Sequence, residues 1–380
     1  MQVILVAGSG NIGTAIASLL ASTGDFEVHL VDIHLQGDRQ NDPQAPIQYA
    51  VLDMQNQPAV VHYIKTHQIT VVISCLPYFC NSLLAKIAKT CHLHYFDLTE
   101  DVSLSEEIKA LAQDASTGFM PHCGLAPGFI GIVASDLMAR FDKIDSVLMR
   151  VGALPQNSQN ALQYALTWSV EGLINEYGNT CYGIERGQMT ALQPLEGLER
   201  LIVEGKLFEA FHTSGGLGTL AQTYAEKVQT MNYKTLRYPG HCEKMRFLMN
   251  DLKLNENRAL LKNILEAALP KTCQDTVLMY VAVSGQQNGY FVEETYVKKM
   301  SPQKIGSLSL TAIQLSTAAS ACAVVDLMLQ APDVPTGFIK QESIPLAAFL
   351  GNRFGRYYQE ENNQEDKNGF FKKTGHRTNQ

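Results

Sequence analysis

The first third of the chain alternates between short apolar runs and amphipathic segments. The runs are rich in β-branched residues, as are strands buried on both faces of a parallel sheet, and the segments between them have helical spacing. The runs fall at residues 3–7, 27–32, 48–52, 70–74, 94–99 and 118–121. This rhythm predicts an α/β fold, a Rossmann doubly wound parallel sheet, for residues 1–124.

The rhythm stops at a turn from Gly124 to Gly128, which has two glycines and a proline in five residues. Beyond it, residues 145–151 alternate as a half-buried strand does, and further strands are predicted at residues 183–192 and 230–237. Residues 275–300 predict a hairpin, because Asn288-Gly289 is a strong turn signal. We therefore predict an inserted α+β domain at residues 125–308, built on an antiparallel sheet.

The end of the chain is predicted to return to the first domain. Residues 309–329 form about 20 residues of helix, whose small side chains indicate close contact with another element. A short apolar run at residues 337–339 and a last helix at residues 346–358 follow. We therefore assign residues 309–358 to C-terminal helices that return to the Rossmann domain. Residues 359–380 are polar and predicted to be disordered.

Length, charge and cysteine usage exclude several classes of protein. A chain of 380 residues is long enough for two domains, and its net charge of −7 argues against a nucleic-acid partner. The eight cysteines form no Cys-x-x-Cys pair, which favours reduced thiols and no metal site. The first strand begins at Gln2, and no apolar run reaches the roughly 18 residues of a membrane span. We expect a cytoplasmic protein without a membrane partner.

A glycine motif joins the first strand to the first helix. Its residues are Gly8, Ser9, Gly10, Asn11, Ile12 and Gly13. Gly8 permits a tight turn, Gly10 leaves room for a pyrophosphate, and Gly13 lets the helix approach the strand, so phosphates meet free N–H groups. Asp32 follows Gly13 by 19 residues, where a carboxylate binds ribose hydroxyls. The motif predicts an NAD site, with NADP not excluded; the alternative is a glycine-rich turn without a ligand.

Other strand ends extend this cofactor site. Asp53 follows the third strand and is predicted to accept a hydrogen bond from the adenine amino group, or alternatively to cap the next helix. Cys75, Leu76 and Pro77 follow the fourth strand. Ligands of open α/β sheets bind at the carboxyl ends of the strands, so these three residues are predicted to line the nicotinamide ribose.

The densest group of chemically active residues lies at residues 234–244. Arg237 has a planar fork that matches a substrate carboxylate, and His241 titrates near neutrality, as an acid–base group must. The alternative is that Arg237 pairs with a protein carboxylate and His241 only caps a turn.

Further candidates lie at the strand ends and in the segment around the single tryptophan. Asp97, after the fifth strand, and Glu171, beside Trp168, are candidate partners for a substrate ammonium group; for Glu171 the alternative is a solvated helix face. His122 and Cys123 lie at the crossing between domains and either contact the substrate or pack within the loop.

Five of these stretches together resemble the saccharopine dehydrogenase superfamily. They are residues 7–13, 74–77, 95–99, 124–128 and 236–241, and the last two are most similar to its lysine 6-dehydrogenase-like branch. The resemblance implies a Rossmann domain with an inserted α+β domain whose sheet lines the substrate cleft and often forms the dimer contact. It also implies that Arg237 binds a carboxylate, that Asp97 is the acid after the fifth strand, and that His241 is a member of the motif.

The resemblance implies oxidation of the carbon–nitrogen bond of an amino acid or polyamine with NAD or NADP, or the reverse reduction. A second carboxylate-binding group, which saccharopine needs, has no match, and this favours a smaller substrate. The expected function is NAD-dependent oxidative deamination of lysine or a related amine by a homodimer. The alternatives are a saccharopine or carboxynorspermidine dehydrogenase or reductase, and, in another class, an NAD-binding redox sensor without turnover.

Overall fold

The computed structural model describes residues 1–35, 46–306 and 308–359, so the predicted tail lies outside the described residues from residue 360 onward. Its first sheet is built from the apolar runs of the N-terminal third. The strands are β1 (Gln2–Ala7), β2 (Phe26–Asp32), β3 (Ile47–Val51), β4 (Val71–Ser74), β5 (His94–Asp97) and β6 (Gly118–Met120). All are parallel, in the order β3-β2-β1-β4-β5-β6. This order confirms the doubly wound Rossmann sheet.

The second sheet follows the crossing between domains. Its strands are β7 (Lys143–Pro155), β8 (Cys181–Glu185), β9 (Gln188–Leu192), β10 (Glu199–Val203), β11 (Lys206–His212), β12 (Val228–Arg237), β13 (Asp275–Gln287) and β14 (Tyr290–Met300). The main order is β10-β11-β12-β7-β13-β14, and β8 joins β9 to β12. The expectation of an antiparallel sheet is wrong at one pair, because β7 and β12 are parallel. The hairpin β10–β11 has no counterpart in the sequence prediction.

Two short strands and one further edge strand complete the β structure. They are β15 (Gln303–Ile305), β16 (Leu308–Leu310) and β17 (Gly337–Phe338). Strand β17 pairs with β6 in parallel, so the end of the chain returns to the first sheet as predicted. The hairpin β13–β14 is also as predicted: Gln287 faces Tyr290, and Asn288 and Gly289 both have positive φ (52° and 82°).

Helices cover both faces of the first sheet and one face of the second. They are α1 (Asn11–Ala21), α2 (Gln57–Thr66), α3 (Tyr78–Thr90), α4 (Val102–Ala112), α5 (Phe129–Met138), α6 (Val170–Gly178), α7 (Leu220–Tyr224), α8 (His241–Arg246), α9 (Arg258–Ala268), α10 (Ala312–Leu329) and α11 (Leu346–Gly351). One apolar core runs from α1 and α10 through α5 to the inner face of β13, and so joins the two domains. A second core packs α2, α3 and α4 on the other face of the first sheet.

Helix α10 is the helix of small residues that the sequence predicts. It has 18 residues with a mean hydropathy of 1.6, which is long and apolar enough to cross a membrane by length and composition. The expectation that no such run exists is therefore wrong. However, 72% of this window is buried inside the protein, the pattern of a core helix.

The last predicted helix, residues 346–358, is interrupted. Helix α11 ends at Gly351, and only a short 3-10 turn, Gly355–Tyr358, follows. Asn352 has extended backbone (ψ 147°), and its side chain donates to Asp326 and accepts from the Phe354 N–H. These polar contacts hold Asn352 outside a helical conformation.

Candidate active site

The glycine motif forms a tight turn between β1 and α1. Gly8 has a φ of +107°, and a Cβ placed on it would lie 2.9 Å from the Cys75 carbonyl oxygen. A Cβ placed on Gly13 would lie 1.9 Å from the Gly8 carbonyl oxygen, whereas one on Gly10 meets no protein atom within 4 Å. Two glycines are thus required by the fold, and the third leaves open space at the start of a helix, as a bound pyrophosphate needs.

Asp32 lies at the end of β2, beside this turn. One carboxylate oxygen accepts hydrogen bonds from the Ser9 N–H (2.6 Å) and hydroxyl (2.9 Å), and the other accepts from the His34 N–H (3.3 Å). Burial favours the neutral acid, but these hydrogen bonds outweigh it and lower the pKa of Asp32 below its ordinary value. The side chain is therefore an anion at the edge of the glycine turn, where it can accept hydrogen bonds from ribose hydroxyls.

The other predicted cofactor residues border the same edge of the sheet. Asp53 is exposed and accepts from the Gln55 N–H (2.9 Å), while Asn56 caps α2, so the cap reading of Asp53 is wrong. Cys75 donates its N–H to Ala7, and burial raises the pKa of its thiol to about 12. Leu76 is partly exposed, and Pro77 is the residue before α3. Their contacts with a cofactor remain predictions.

Asp97 is fully buried at the end of β5. Its carboxylate accepts hydrogen bonds from the Tyr95 hydroxyl (2.8 Å), the Thr99 N–H (2.9 Å) and the His122 N–H (3.4 Å), and burial raises its pKa to about 6. Its carbonyl also accepts from the Cys123 N–H. The contacts with His122 and Cys123 hold the crossing loop onto the sheet, and no described hydrogen bond joins Asp97 to Arg237.

Arg237 ends β12 and is 2% exposed. Its Nε donates to the Tyr177 hydroxyl (2.7 Å), and its Nη1 donates to Thr235 (2.8 Å) and to the Leu236 carbonyl (2.8 Å). Only Nη2 is left, 3.7 Å from Glu176 Oε2. A bidentate hydrogen bond from Arg237 to a substrate carboxylate, as expected from the sequence, would require breaking these internal hydrogen bonds. The ion-pair partner of the guanidinium is a protein carboxylate, that of Glu176.

His241 is not the near-neutral acid–base group that the sequence suggests. It is 1% exposed; its Nδ1 donates to the Leu162 carbonyl (2.7 Å) and its Nε2 accepts from the Tyr177 hydroxyl (3.0 Å). Burial, with Arg237 nearby, lowers its pKa to about 3. A neutral ring with both nitrogens occupied orients Tyr177, which in turn accepts the Arg237 hydrogen bond.

Two acids that the sequence analysis did not select lie next to this group. Glu176 of α6 is 8% exposed, and its Oε2 has no hydrogen-bond partner among the described residues. Burial, opposed by Arg237, raises its pKa to about 7. Glu100, three residues after Asp97, is partly exposed; burial, and then repulsion by Glu176, raises its pKa well above its ordinary value.

The remaining candidates take different positions. Trp168 donates to the Tyr164 hydroxyl (3.1 Å), whose ring lies 5.2 Å from the Arg237 guanidinium, so Trp168 borders the Arg237 group. Glu171 is mostly exposed and pairs with Lys262. It therefore lies on a solvated helix face, the alternative considered for it from the sequence. Cys123 is buried with its thiol against the Met120 carbonyl, inside the crossing loop.

His122, next to Cys123, is 3% exposed, and its Nδ1 lacks a partner among the described residues. Burial lowers its pKa to about 4. Across residues 1–35, 46–306 and 308–359, no three His, Cys, Asp or Glu side chains are placed to hold a metal ion.

These features define a two-domain protein with a Rossmann dinucleotide-binding fold and a buried charged group between its domains. Residues 4–120 match the saccharopine dehydrogenase NADP binding domain family, and residues 124–350 match the saccharopine dehydrogenase C-terminal domain family. The chain belongs to the saccharopine dehydrogenase family, and residues 4–120 are its nicotinamide dinucleotide-binding domain. The superfamily resemblance is therefore confirmed.

Curated relatives include saccharopine dehydrogenase and alpha-aminoadipic semialdehyde synthase. The chain is 24% identical over 202 residues to an NADP(+)-dependent, L-glutamate-forming saccharopine dehydrogenase of Schizosaccharomyces pombe, covering 50% of this chain and 44% of that protein. It is 21% identical over 249 residues to the mitochondrial alpha-aminoadipic semialdehyde synthase of Mus musculus, covering 63% and 27%. The chain thus spans less than half the length of either relative.

Solved structures share the whole fold. The apo L-Glu-forming saccharopine dehydrogenase of Saccharomyces cerevisiae has a TM-score of 0.70 at 17% identity, covering 90% of this chain and 94% of that one. The homospermidine synthase of Legionella pneumophila, in complex with NAD, has a TM-score of 0.65 at 14% identity, covering 95% and 90%.

Proposed function

We propose that the protein is an NAD-dependent dehydrogenase that oxidises the carbon–nitrogen bond of lysine or a closely related amine. The observation that carries this proposal is the group of buried Arg237 and Glu176 with the partly exposed Glu100, which lies where the second domain meets the carboxyl end of β5. That edge of the sheet is where a nicotinamide ring lies in a Rossmann fold. The family membership and its curated relatives support an amino-acid substrate.

When bound, the dinucleotide supplies the hydride acceptor. The chain's own residues orient the substrate and exclude water. The rings of Tyr164 and Tyr177 lie 5.2 and 5.7 Å from the Arg237 guanidinium and keep it in one place beside Glu176. A charge held at a buried position acts more strongly on a bound amine than it would in water. The hydrolysis of the resulting imine needs only water.

The choice of NAD rests on Asp32. An anionic carboxylate hydrogen-bonds a 2′-hydroxyl and repels a 2′-phosphate. Fluorescence titration with NAD and NADP tests the choice, and we expect tighter binding of NAD. Asp32→Asn should narrow the difference by about tenfold, since it removes the repulsion. Tighter binding of NADP by the native protein would overturn this assignment.

The substrate is tested by incubating the protein and NAD with lysine, saccharopine or carboxynorspermidine while following the absorbance of the reduced cofactor. Turnover of lysine alone supports the proposal. Turnover of saccharopine or carboxynorspermidine instead moves the assignment to the secondary-amine reaction. Cofactor binding without turnover of any of the three supports a redox sensor.

We further propose a cytoplasmic homodimer that associates through the outer face of the second sheet. That face carries an apolar cluster that includes Leu154, Phe208 and Leu278, and helices cover only the opposite face. Val297 of β14 is 45% exposed and faces the same side, because it lies opposite Tyr280, two residues along β13 from Leu278. The cluster is buried within the subunit, so the proposed contact rests on exposed apolar residues of this face such as Val297.

A further inference from the structure

Glu100 and Glu176 come from different domains, and both contact one dipeptide, Ser214-Gly215. The Ser214 N–H donates to the Glu176 carbonyl (2.9 Å). A Cβ placed on the next residue, Gly215, would lie 2.7 Å from the Glu100 Cβ, and Gly215 has a φ of +87°. The loop between β11 and α7 therefore needs a glycine at this position, because only a residue without a side chain lets Glu100 approach so closely.

Glu176 has a counter-charge in Arg237. Arg237 offers only Nη2, since its Nε and Nη1 are bound to Tyr177, Thr235 and Leu236. Other ionisable groups that interact with one or both acids are Asp101, Tyr164, Tyr177, Cys181 and Tyr233. None of these supplies a second positive charge. When both carboxylates are ionised, one guanidinium balances only one of the two negative charges, and a bound cation would balance the other.

The same loop carries hydrogen-bonding capacity that the protein does not use. Thr213, beside Ser214, is 3% exposed, and its hydroxyl has no partner among the described residues. Glu176 Oε2 and His122 Nδ1 are also without hydrogen-bond partners there, and His122 Nδ1 lies 3.3 Å from a Cβ placed on Gly218 of the same loop. Buried polar atoms are usually satisfied, so an unpaired donor and acceptors indicate a place for a polar ligand.

We propose that Glu100 and Glu176 together bind the ammonium group of the substrate, and that one of them takes its proton before the adjacent carbon is oxidised. This inference rests on the proposed function and names the group that recognises the amine. It assigns a cationic amine to this end of the site and excludes a carboxylate from it. The two acids come from both domains, so the site is complete only when the domains are together.

The proposed step conserves protons and electrons. Burial raises the pKa of both acids, to about 7 for Glu176, so before the amine binds one of them carries a proton near neutral pH. An arriving ammonium group replaces that proton, which goes to solvent. The ammonium then gives one proton to a carboxylate and becomes a neutral amine. Its lone pair forms the C=N bond as the hydrogen on carbon leaves with two electrons for the oxidised dinucleotide of the proposed function.

Calorimetry on the full chain with NADH, which cannot accept a hydride, tests the pair without turnover. L-lysine is titrated at pH 7 in two buffers of different ionisation enthalpy, which reports protons released on binding. We expect release of about one proton per lysine. L-6-hydroxynorleucine, which carries a hydroxyl in place of the side-chain ammonium, should bind about tenfold or more weakly and release none.

Glu100→Gln and Glu176→Gln should each abolish proton release and lower lysine affinity by about tenfold or more. Glu266→Gln, an exposed residue of α9, is the matched control and should behave as the native protein. Circular dichroism verifies that each variant folds, and carboxyl-carbon NMR of the native protein should show a glutamate that titrates near pH 7.

Three results would overturn the inference: binding of lysine without proton release, unchanged affinity in both variants, or no binding of lysine at all. Lysine that binds with proton release but is not oxidised would count against the proposed function alone. Loss of the glutamate that titrates near pH 7 in Glu176→Gln, with lysine affinity retained, also counts against an ammonium receptor.

Discussion

Gly10 and Gly13 have different reasons to lack a side chain. Gly13 is limited by the Gly8 carbonyl, whereas Gly10, with a φ of −64°, has open space around it. We expect Gly10→Ala to leave the unfolding temperature of the cofactor-free protein unchanged and to lower dinucleotide affinity about tenfold or more, because the methyl group takes the pyrophosphate position. Thermal unfolding with and without NAD measures both effects.

Gly351→Ala, at a helix end with no atom near its Cβ, is the control and should change neither quantity. Gly13→Ala should lower stability even without cofactor. If Gly10→Ala binds NAD as tightly as the native protein, the phosphates do not lie at this turn.

Arg237 is held by hydrogen bonds and by two aromatic rings, so its removal affects stability as well as activity. Arg237→Ala leaves Glu176 without its ion-pair partner, and we expect a loss of about 3 kcal/mol or more in the free energy of unfolding. Arg237→Lys keeps the positive charge but lacks the planar guanidinium. Relative to Arg237→Ala, it should therefore recover part of the stability and little of the activity. Urea unfolding and initial rates measure the two effects.

Arg200→Ala, on an exposed position of β10, provides the comparison for Arg237 and should be neutral. Equal stability of Arg237→Ala and the native protein would mean that the buried pair is not formed.

Asp97 makes stability depend on pH in a defined direction. Its pKa is raised from 3.8 to about 6 in the folded protein, so folding is favoured while the group is protonated. This contribution is complete below about pH 4 and is lost as pH rises towards 6. The free energy of unfolding of the native protein, relative to Asp97→Asn, should fall by about 3 kcal/mol over that interval. Urea titrations at several pH values test it; a constant or rising difference contradicts it.

At the scale of elements, helix α6 shows where sequence patterns stop being informative. Its apolar stripe is formed by Val170, Leu173, Ile174 and Tyr177. At about 100° per residue, Glu171 and Glu176 lie equally far from the centre of that stripe, on opposite sides. Helical periodicity therefore predicts the same degree of burial for Glu171 and Glu176. Only the tertiary structure brings Glu176 to Arg237, whereas Glu171 pairs with Lys262.

Strand β13 and helix α10 are joined by one carboxylate. Asp275 accepts hydrogen bonds from the N–H groups of Ala312 (2.6 Å) and Ile313 (2.9 Å) at the start of the helix. Asp275→Ala leaves these buried donors unpaired, so we expect a loss of about 2 kcal/mol in the free energy of unfolding. Denaturant unfolding tests this against Asp251→Ala, an exposed position that should be neutral. A neutral Asp275→Ala would mean that other acceptors replace the carboxylate.

For the whole molecule, the proposed dimer face gives a direct prediction. Val297→Glu places a charge on the outer face of the second sheet and should shift sedimentation from dimer towards monomer, with unchanged circular dichroism. Ile202→Glu is the matched control, because Ile202 is 72% exposed on the opposite face of β10 from Leu201 and Val203. Dimers that persist in Val297→Glu would move the contact to another surface.

The first domain was predictable because its signals are local. A strand, three spaced glycines and an acid at the next strand end all lie within the first 32 residues. The second site was only half predictable, since it joins Glu100, Glu176 and Arg237 from distant parts of the chain. Arg237 ends β12, which pairs with β7 in parallel, and no local pattern announces a parallel pair within a mostly antiparallel sheet.

The return of the chain to its first sheet has a consequence for synthesis on the ribosome. Strand β17 and the covering helix α10 are translated after the whole insert, so the N-terminal sheet stays open on one edge and one face until then. The strands from β7 to β14 are all available earlier. Domains fold as their chain emerges. All the strands of the second sheet are therefore translated before the last elements of the dinucleotide-binding domain, although that domain is the first to be started.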